Sequence, residues 1–421
     1  MMITVALSKS MRAKSMRAKS MRAQFMQAKS MRAKGTPARF TKVWRRINRL
    51  PDKLSLSLAS LLLATLSWGA IALPVKAALE LRVAVRSGVG QIVLGSSTDA
   101  TIHDGSGRTL SELQGGQAME ASYRGGRITF GDWQGTGFWV DPADDGFVYI
   151  GDRWYRGRVF VTPGEGGIIA VNYVDLEHYL FSVLGGEMPT DWPEAALQAQ
   201  AVAARSYALY KRQAAGNAVY DLGATTTWQV YRGLVEEAES TRSAVTATEG
   251  QVLTYNGRII EAVFHSSSGG HTENVEDVWS QPLPYLRGVK DYDEGAPVFA
   301  WTAEFTLEQF ASRIGGIGEL RAATPERTTP QGRIVTMRLE GTDGARTLSG
   351  NDLRRDLGLR STLFRITAID DNRVEITGRG FGHGIGLSQW GARNLAEQGY
   401  AYDQILTHYY QGARLSRIEV R

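Results

Sequence analysis

The chain has 421 residues, no cysteine, 47 glycines and a formal charge of +5. Without cysteine it has no disulfide framework, no thiolate metal site and no cysteine nucleophile. The charge is unevenly divided: residues 1–77 carry sixteen Lys/Arg against one acid, Asp52 (+15), and the other 344 carry 32 basic against 42 acidic residues (−10), so the larger part lacks the basic face that nucleic-acid binding needs.

Residues 8–35 repeat a five-residue unit built on Met-Arg-Ala-Lys, a period that fits neither helix nor strand, in a stretch too charged to bury a core. With the residues up to 53 it reads as a basic low-complexity leader, Met31 being the alternative start. The uncharged run 54–75, LSLSLASLLLATLSWGAIALPV, is followed by Lys76 and Ala77. Val75 and Ala77 are small residues at cleavage-site spacing, so 54–77 is expected to be a signal-peptide apolar region with its cleavage site. The alternative is an uncleaved anchor, since 22 residues can span a bilayer. The Lys/Arg excess before the run keeps the N-terminus inside. Residues 78–421 are therefore expected in the periplasm or cell wall, secreted or anchored, touching membrane only through the N-terminal segment.

Leu79–Arg86 alternates apolar and polar residues as a half-buried strand does. Short strand-like runs follow at Gln91–Leu94, Arg127–Phe130, Gly137–Val140, Gly146–Ile150 and Gly157–Val161, so 79–170 reads as β-rich. Asp175 caps a short helix expected to stop at Gly185-Gly186. A capping box, Asp191-Trp-Pro-Glu194, opens an alanine-rich helix to about Gln213. Glu236–Thr248 predicts a helix. Gln251–Tyr255 and Arg258–Phe264 predict a hairpin around Asn256-Gly257. Val374–Thr377 predicts a strand, and shorter helices are expected over Thr306–Ile314, Ser349–Leu357, Ser388–Gln398 and Tyr402–Tyr410. Segregated strands and helices make the fold class α+β, with 171–421 expected as a mixed, partly helical core that forms a cleft.

Three segments crowd polar residues against glycines. In Gly185-Gly186-Glu187-Met188-Pro189 the glutamate sits among apolar neighbours that can raise its pKa for general acid work; spacing alone favours a carboxyl that merely caps or pairs in a loop. In Phe264-His265-Ser266-Ser267-Ser268-Gly269-Gly270-His271 the hydroxyls and histidines make a hydrogen-bonding wall. His265 and His271, with Glu273, Glu276 or Asp277, leave zinc open on a non-standard spacing. A serine hydrolase is disfavoured because no G-x-S-x-G elbow is present. In Gly378-Arg-Gly-Phe-Gly-His383-Gly-Ile-Gly-Leu-Ser388-Gln389-Trp390, glycine at alternate positions does not match the dinucleotide fingerprint, and too little chain follows for its βαβ unit. His383 alone reads equally as a satisfied structural histidine.

Together, GEMPTDWPEAALQAQAVAARSYAL (186–209), FHSSSGGHTENVEDVW (264–279) and GRGFGHGIGLSQWGARNLAEQGYAYDQILTHYYQGARL (378–415) resemble the SpoIID/LytB family, the stage II sporulation protein D group of cell-wall proteins. The resemblance covers about 79–421. It implies a peptidoglycan lytic transglycosylase that cuts the MurNAc–GlcNAc β-1,4 bond of peptide-stripped glycan strands and leaves a 1,6-anhydro end. Glu187 matches the family's catalytic glutamate; Arg205, Tyr207, His265, Ser266–Gly270, His383, Ser388 and Gln389 would line the glycan site by the same match. Single-carboxyl chemistry needs no cofactor, so zinc at His265 and His271 is unneeded, and the cysteine-type metal site of some family members is excluded. The alternative function is a non-catalytic wall-binding enhancer of a partner cell-wall amidase.

Overall fold

The computed structural model describes residues 79–279, 281–370 and 373–418. The leader, the apolar run and its cleavage site lie outside them. Among the described residues no helix is long and apolar enough to cross a membrane. Strands and helices are mixed as the α+β reading predicts.

Glu80–Val89 buries Leu81, Val83 and Val85 on one face, as its alternation requires. It lies in a seven-stranded sheet between the antiparallel strand Gly167–Asp175 and the short parallel strand Leu222–Gly223. A six-stranded sheet, with Gln91–Ser96, Ala118–Arg124 and Arg127–Phe130 at its centre, shares one hydrophobic core with the first sheet. That core continues into the helices.

Helix α1 (Leu176–Glu187) starts where expected: the Asp175 carboxylate accepts from the Glu177 and His178 amides. It does not stop at the glycines. It runs through both and ends on Glu187. The glycines serve close approach instead, because a Cβ on Gly185 would lie 1.9 Å from the Glu236 carbonyl oxygen and one on Gly186 2.9 Å from that of Val230. Helix α2 (Glu194–Ala214) starts behind Pro193 with no side-chain cap, and the expected Asp191–Glu194 box is not formed; Glu194 accepts from Gln198 one turn ahead. Helix α2 is buried over most of Ala196–Leu209, and its alanines let α1, α3 (Glu239–Ala247) and the strand Gln251–Tyr255 pack around it. Helix α3 is shorter than predicted because Gly233–Glu236 forms a separate 3₁₀ turn. Asn256 and Gly257 take φ of 48° and 75° and turn the hairpin. Only Arg258–Ile259 pairs back; the other edge of Gln251–Tyr255 is taken by Arg414–Arg417.

After a short helix α4 (Val275–Val278), the chain builds a second hydrophobic core between Ala300 and Arg379. Two three-stranded sheets, with helices α5 (Leu307–Ile314) and α6 (Gly350–Leu357), enclose Phe310, Ile317, Leu339 and Ile376. The chain enters and leaves this unit at one place: the Gly380 amide donates to the Phe299 carbonyl at 2.9 Å, and the Trp301 indole donates to the Gly380 carbonyl at 2.9 Å. Helices α7 (Gln389–Glu397), capped by Ser388, and α8 (Tyr402–Tyr409) return to the main body.

Candidate functional site

Two of the three polar segments are stitched together by backbone. Phe264–His265 pairs in parallel with Leu387–Ser388. Ser267 and Phe381 exchange amide-to-carbonyl bonds of 3.1 and 2.7 Å, and the Trp390 amide donates to the Ser266 carbonyl at 3.0 Å. Alternate glycines make this contact possible. Gly386, at φ 71°, has the Val263 carbonyl oxygen 2.1 Å from where a Cβ would stand, and Gly382, at φ 114°, has the His265 Cβ at 2.7 Å. Helix α1 brings the third segment to the same place. A cavity of about 450 Å³ is lined by Glu187, Tyr207, His265, Ser266, His383 and Gln389, all six singled out from sequence.

Glu187 is half-buried at the C-terminal end of α1. Burial pushes its carboxyl above the usual glutamate range; the Val230 amide, a hydrogen bond from Gln389 and the charge of Arg232 partly oppose this. The Val230 amide donates to Oε1 at 2.6 Å. The last turn of α1 holds no basic residue, so the negative end of the helix dipole also disfavours the anion. Among the described residues no lysine or arginine forms an ion pair with Glu187. The loop that supplies Val230 is pinned from both sides. Tyr179 Oη donates to Gln229 at 3.1 Å, Gln229 donates to the Ala204 carbonyl at 3.3 Å, and Tyr231 Oη donates to Asn172 at 2.6 Å.

Other expected residues lie elsewhere. Arg205 is 0% exposed, pairs with Glu177 at 2.6 and 2.9 Å and donates to the Gln251 carbonyl at 3.1 Å, so it braces α1 against α2 and does not line the cavity. Ser267 and Ser268 point inward: their hydroxyls donate to Asp293 and Asp291, each at 2.5 Å. Gly269 donates its amide to Asp293 at 2.8 Å, and the Gly270 carbonyl accepts from the Asp291 amide at 3.1 Å. These two aspartates hold the loop's shape and leave Ser266 as its one hydroxyl on the cavity wall. Ser388 is buried as the α7 cap, accepting from the Gly391 amide at 3.3 Å.

Both nitrogens of His383 are bound by main chain: Nε2–H donates to the Phe264 carbonyl at 2.9 Å, and Nδ1 accepts from the Ile385 amide at 3.1 Å. Burial lowers its pKa to about 4, so the ring is neutral. His265 donates from Nδ1 to the Ile385 carbonyl at 3.1 Å, and its buried Nε2 has no partner among the described residues. Burial, then the neighbouring His383, pushes its pKa well down. His271 spends Nδ1 on the Thr272 carbonyl at 2.6 Å and does not line the cavity. Among the described residues no group of three or more His, Asp or Glu is arranged to hold a metal.

Sequence reasoning missed several lining residues. Lys211 and Glu261 form an ion pair on the wall. Trp279 and Phe381 stand at the rim, 40% and 42% exposed, with the Trp279 ring 5.3 Å from that of His383. An aromatic set among glycines, as Phe381 is, has no core to join, and that signal was available. Arg354, from α6 of the second core, also lines the cavity. Nothing local distinguishes it from Arg355 beside it.

Residues 164–255 match the family described as SpoIID, stage II sporulation protein. Residues 286–386 match a domain of unknown function (DUF8618), a stretch that contains the whole second core. Stage II sporulation protein D of Bacillus subtilis is 35% identical over 271 residues, 59% of this chain and 77% of that protein. Stage II sporulation protein D of Bacillus amyloliquefaciens is 34% identical over 276 residues, 59% and 76% of the two chains. An amidase enhancer of Bacillus subtilis is 32% identical over 293 residues, which span 56% of this chain and 40% of that protein. With a third or more of the residues shared across three quarters of the sporulation proteins, and with the family's segments meeting at one cavity, the chain belongs to the SpoIID family.

Proposed function

We propose that this SpoIID-family protein works on the bacterial cell wall as an exported lytic transglycosylase, cleaving the MurNAc–GlcNAc β-1,4 bond of peptide-stripped glycan with Glu187 as general acid and base. One observation carries the reading: a single carboxyl without an ion-pair partner, held by the Val230 amide and with its pKa raised by burial, borders an open cavity with an aromatic rim. The second carboxyl on that wall, Glu261, is tied to Lys211 and so is a poor partner for a two-carboxylate hydrolysis. One carboxyl suffices when the nucleophile belongs to the sugar. Protonated Glu187 gives its proton to the leaving glycosidic oxygen as the C1–O bond breaks. The carboxylate then takes the proton of the muramyl 6-hydroxyl as that oxygen closes on C1, which returns Glu187 to its starting state without water. Trp279 and Phe381 suit the apolar faces of sugar rings.

The test incubates the full chain with peptide-stripped glycan and looks for 1,6-anhydromuramyl ends by mass spectrometry. Product from wild type, and its loss in Glu187→Gln, is the expected result. No product with glycan binding retained would move the protein to the other reading, a non-catalytic enhancer of a cell-wall amidase, for which the similarity to an amidase enhancer speaks.

A further inference from the structure

The cavity holds one charge that the chain itself does not answer. Of its lining residues, Lys211 is paired with Glu261, and both histidines are held neutral by burial. Arg354 is half-buried on the same wall, and its guanidinium makes no hydrogen bond or ion pair among the described residues. Its neighbours show the contrast. Arg355, one residue on, is exposed and paired with Asp352 at 2.7 Å and Asp356 at 2.8 Å. Arg333, a fully buried arginine near the site, lies 3.5 Å from Glu273 and donates to the Ser268 carbonyl at 2.7 Å. The helix that carries Arg354 is firmly seated: Ser349 caps it, and Leu353 and Leu357 are buried in the second core. A partly desolvated guanidinium with five donors and no acceptor on a cavity wall is a waiting carboxylate site.

Resting on the glycan reading above, we propose that Arg354 binds the free lactyl carboxylate of a peptide-stripped muramyl residue and so makes the site selective for stripped strands. When the stem peptide is attached, that carbonyl is an uncharged amide with no second oxygen, and the bidentate, charge-assisted contact is lost. Selectivity for stripped glycan would thus reside in the second core, on a residue outside the stretch that matches the SpoIID family. The reaction that supplies the substrate must be an amide hydrolysis that leaves a carboxylate on the lactyl group.

The experiment measures binding by calorimetry to two GlcNAc–MurNAc oligosaccharides, one with free lactyl carboxylates and one with the same groups methyl-esterified. The full chain carries Glu187→Gln throughout, so that no ligand is consumed. The parent is expected to prefer the acid form by about tenfold or more, the scale of a charged hydrogen bond. Adding Arg354→Gln should erase the preference by weakening only the acid form, and Arg354→Lys should restore part of it. Equal weakening of both forms, or an unchanged acid form, overturns the role of Arg354 while leaving the glycan reading in place. Failure of the parent to bind either oligosaccharide removes the glycan reading, and the Arg354 assignment with it.

Discussion

Helix α1 carries a glutamate at each end, and their surroundings are opposite. Glu177, in the first turn, accepts from the buried Arg205 guanidinium at 2.9 and 2.6 Å and from the Gly250 amide at 3.2 Å, where the helix dipole favours an anion. Glu187, ten residues on, has a buried carboxyl, one backbone donor at 2.6 Å and the unfavourable end of the dipole. The same functional group on the same element is thus locked into architecture at one end and left without an ion-pair partner at the other, as the proposed acid–base role requires. Partners decide the role.

The sharpest way to break that contrast is to remove each carboxyl in turn. Glu187→Gln is expected to lower product formation by about 10²- to 10⁴-fold, the usual share of a general acid–base group, with an unchanged circular dichroism spectrum. Glu177→Gln should act on stability, because it strands the Arg205 charge in the interior at a cost of about 3–5 kcal/mol. Denaturant titration reads that loss, and the molecules still folded should turn over normally. Equal loss of turnover in both variants would end the distinction between the two ends.

A smaller effect tests the geometry that holds the acid. Gly185→Ala puts a methyl against the Glu236 carbonyl and should cost about 1–3 kcal/mol as overpacking. Because the displaced loop also supplies the Val230 amide, turnover should fall along with the melting temperature. Stability lost with turnover intact would separate the loop from the chemistry.

The smallest effect is in pH. The raised Glu187 pKa keeps the acid form present above the usual glutamate range, so the rate should fall as pH rises through that folded value. The sign for stability follows from the same shift. A carboxyl whose folded pKa lies above its unfolded value contributes stability fully below the unfolded pKa and loses it as pH rises through the folded one. Glu187→Gln should therefore melt like wild type in acid and above it once Glu187 ionises. Paired melting curves across that window check this, and curves that stay parallel would show that Glu187 ionises without cost.

Much of the local structure was legible. Asp175, Thr306, Ser349 and Ser388 cap the helices they announce, and Asn256-Gly257 turns its hairpin, because caps and turns are decided within a few residues. What was not legible depends on distant chain. Two glycines read as a helix stop were instead required by the approach of residues 230–236, a contact that no window around position 185 contains. The strand pattern of Val374–Thr377 marks Ile376 as buried but is silent on which core receives it. Arginines show the same limit. Arg205 was expected at the glycan site and Arg354 was not, yet the first braces two helices out of reach of solvent and the second stands on the cavity wall.

The hydrogen-bonded meeting of Phe299 and Gly380 has a consequence for how this protein can change over time. A unit with its own core and adjoining ends can be lengthened, traded or lost with little disturbance to its host, as inserted domains are. Glu187 belongs to the host and the unanswered Arg354 guanidinium to the guest. Natural selection can therefore alter the wall that the guest contributes to the cavity by drifting or replacing the guest, while the wall that carries Glu187 stays as it is.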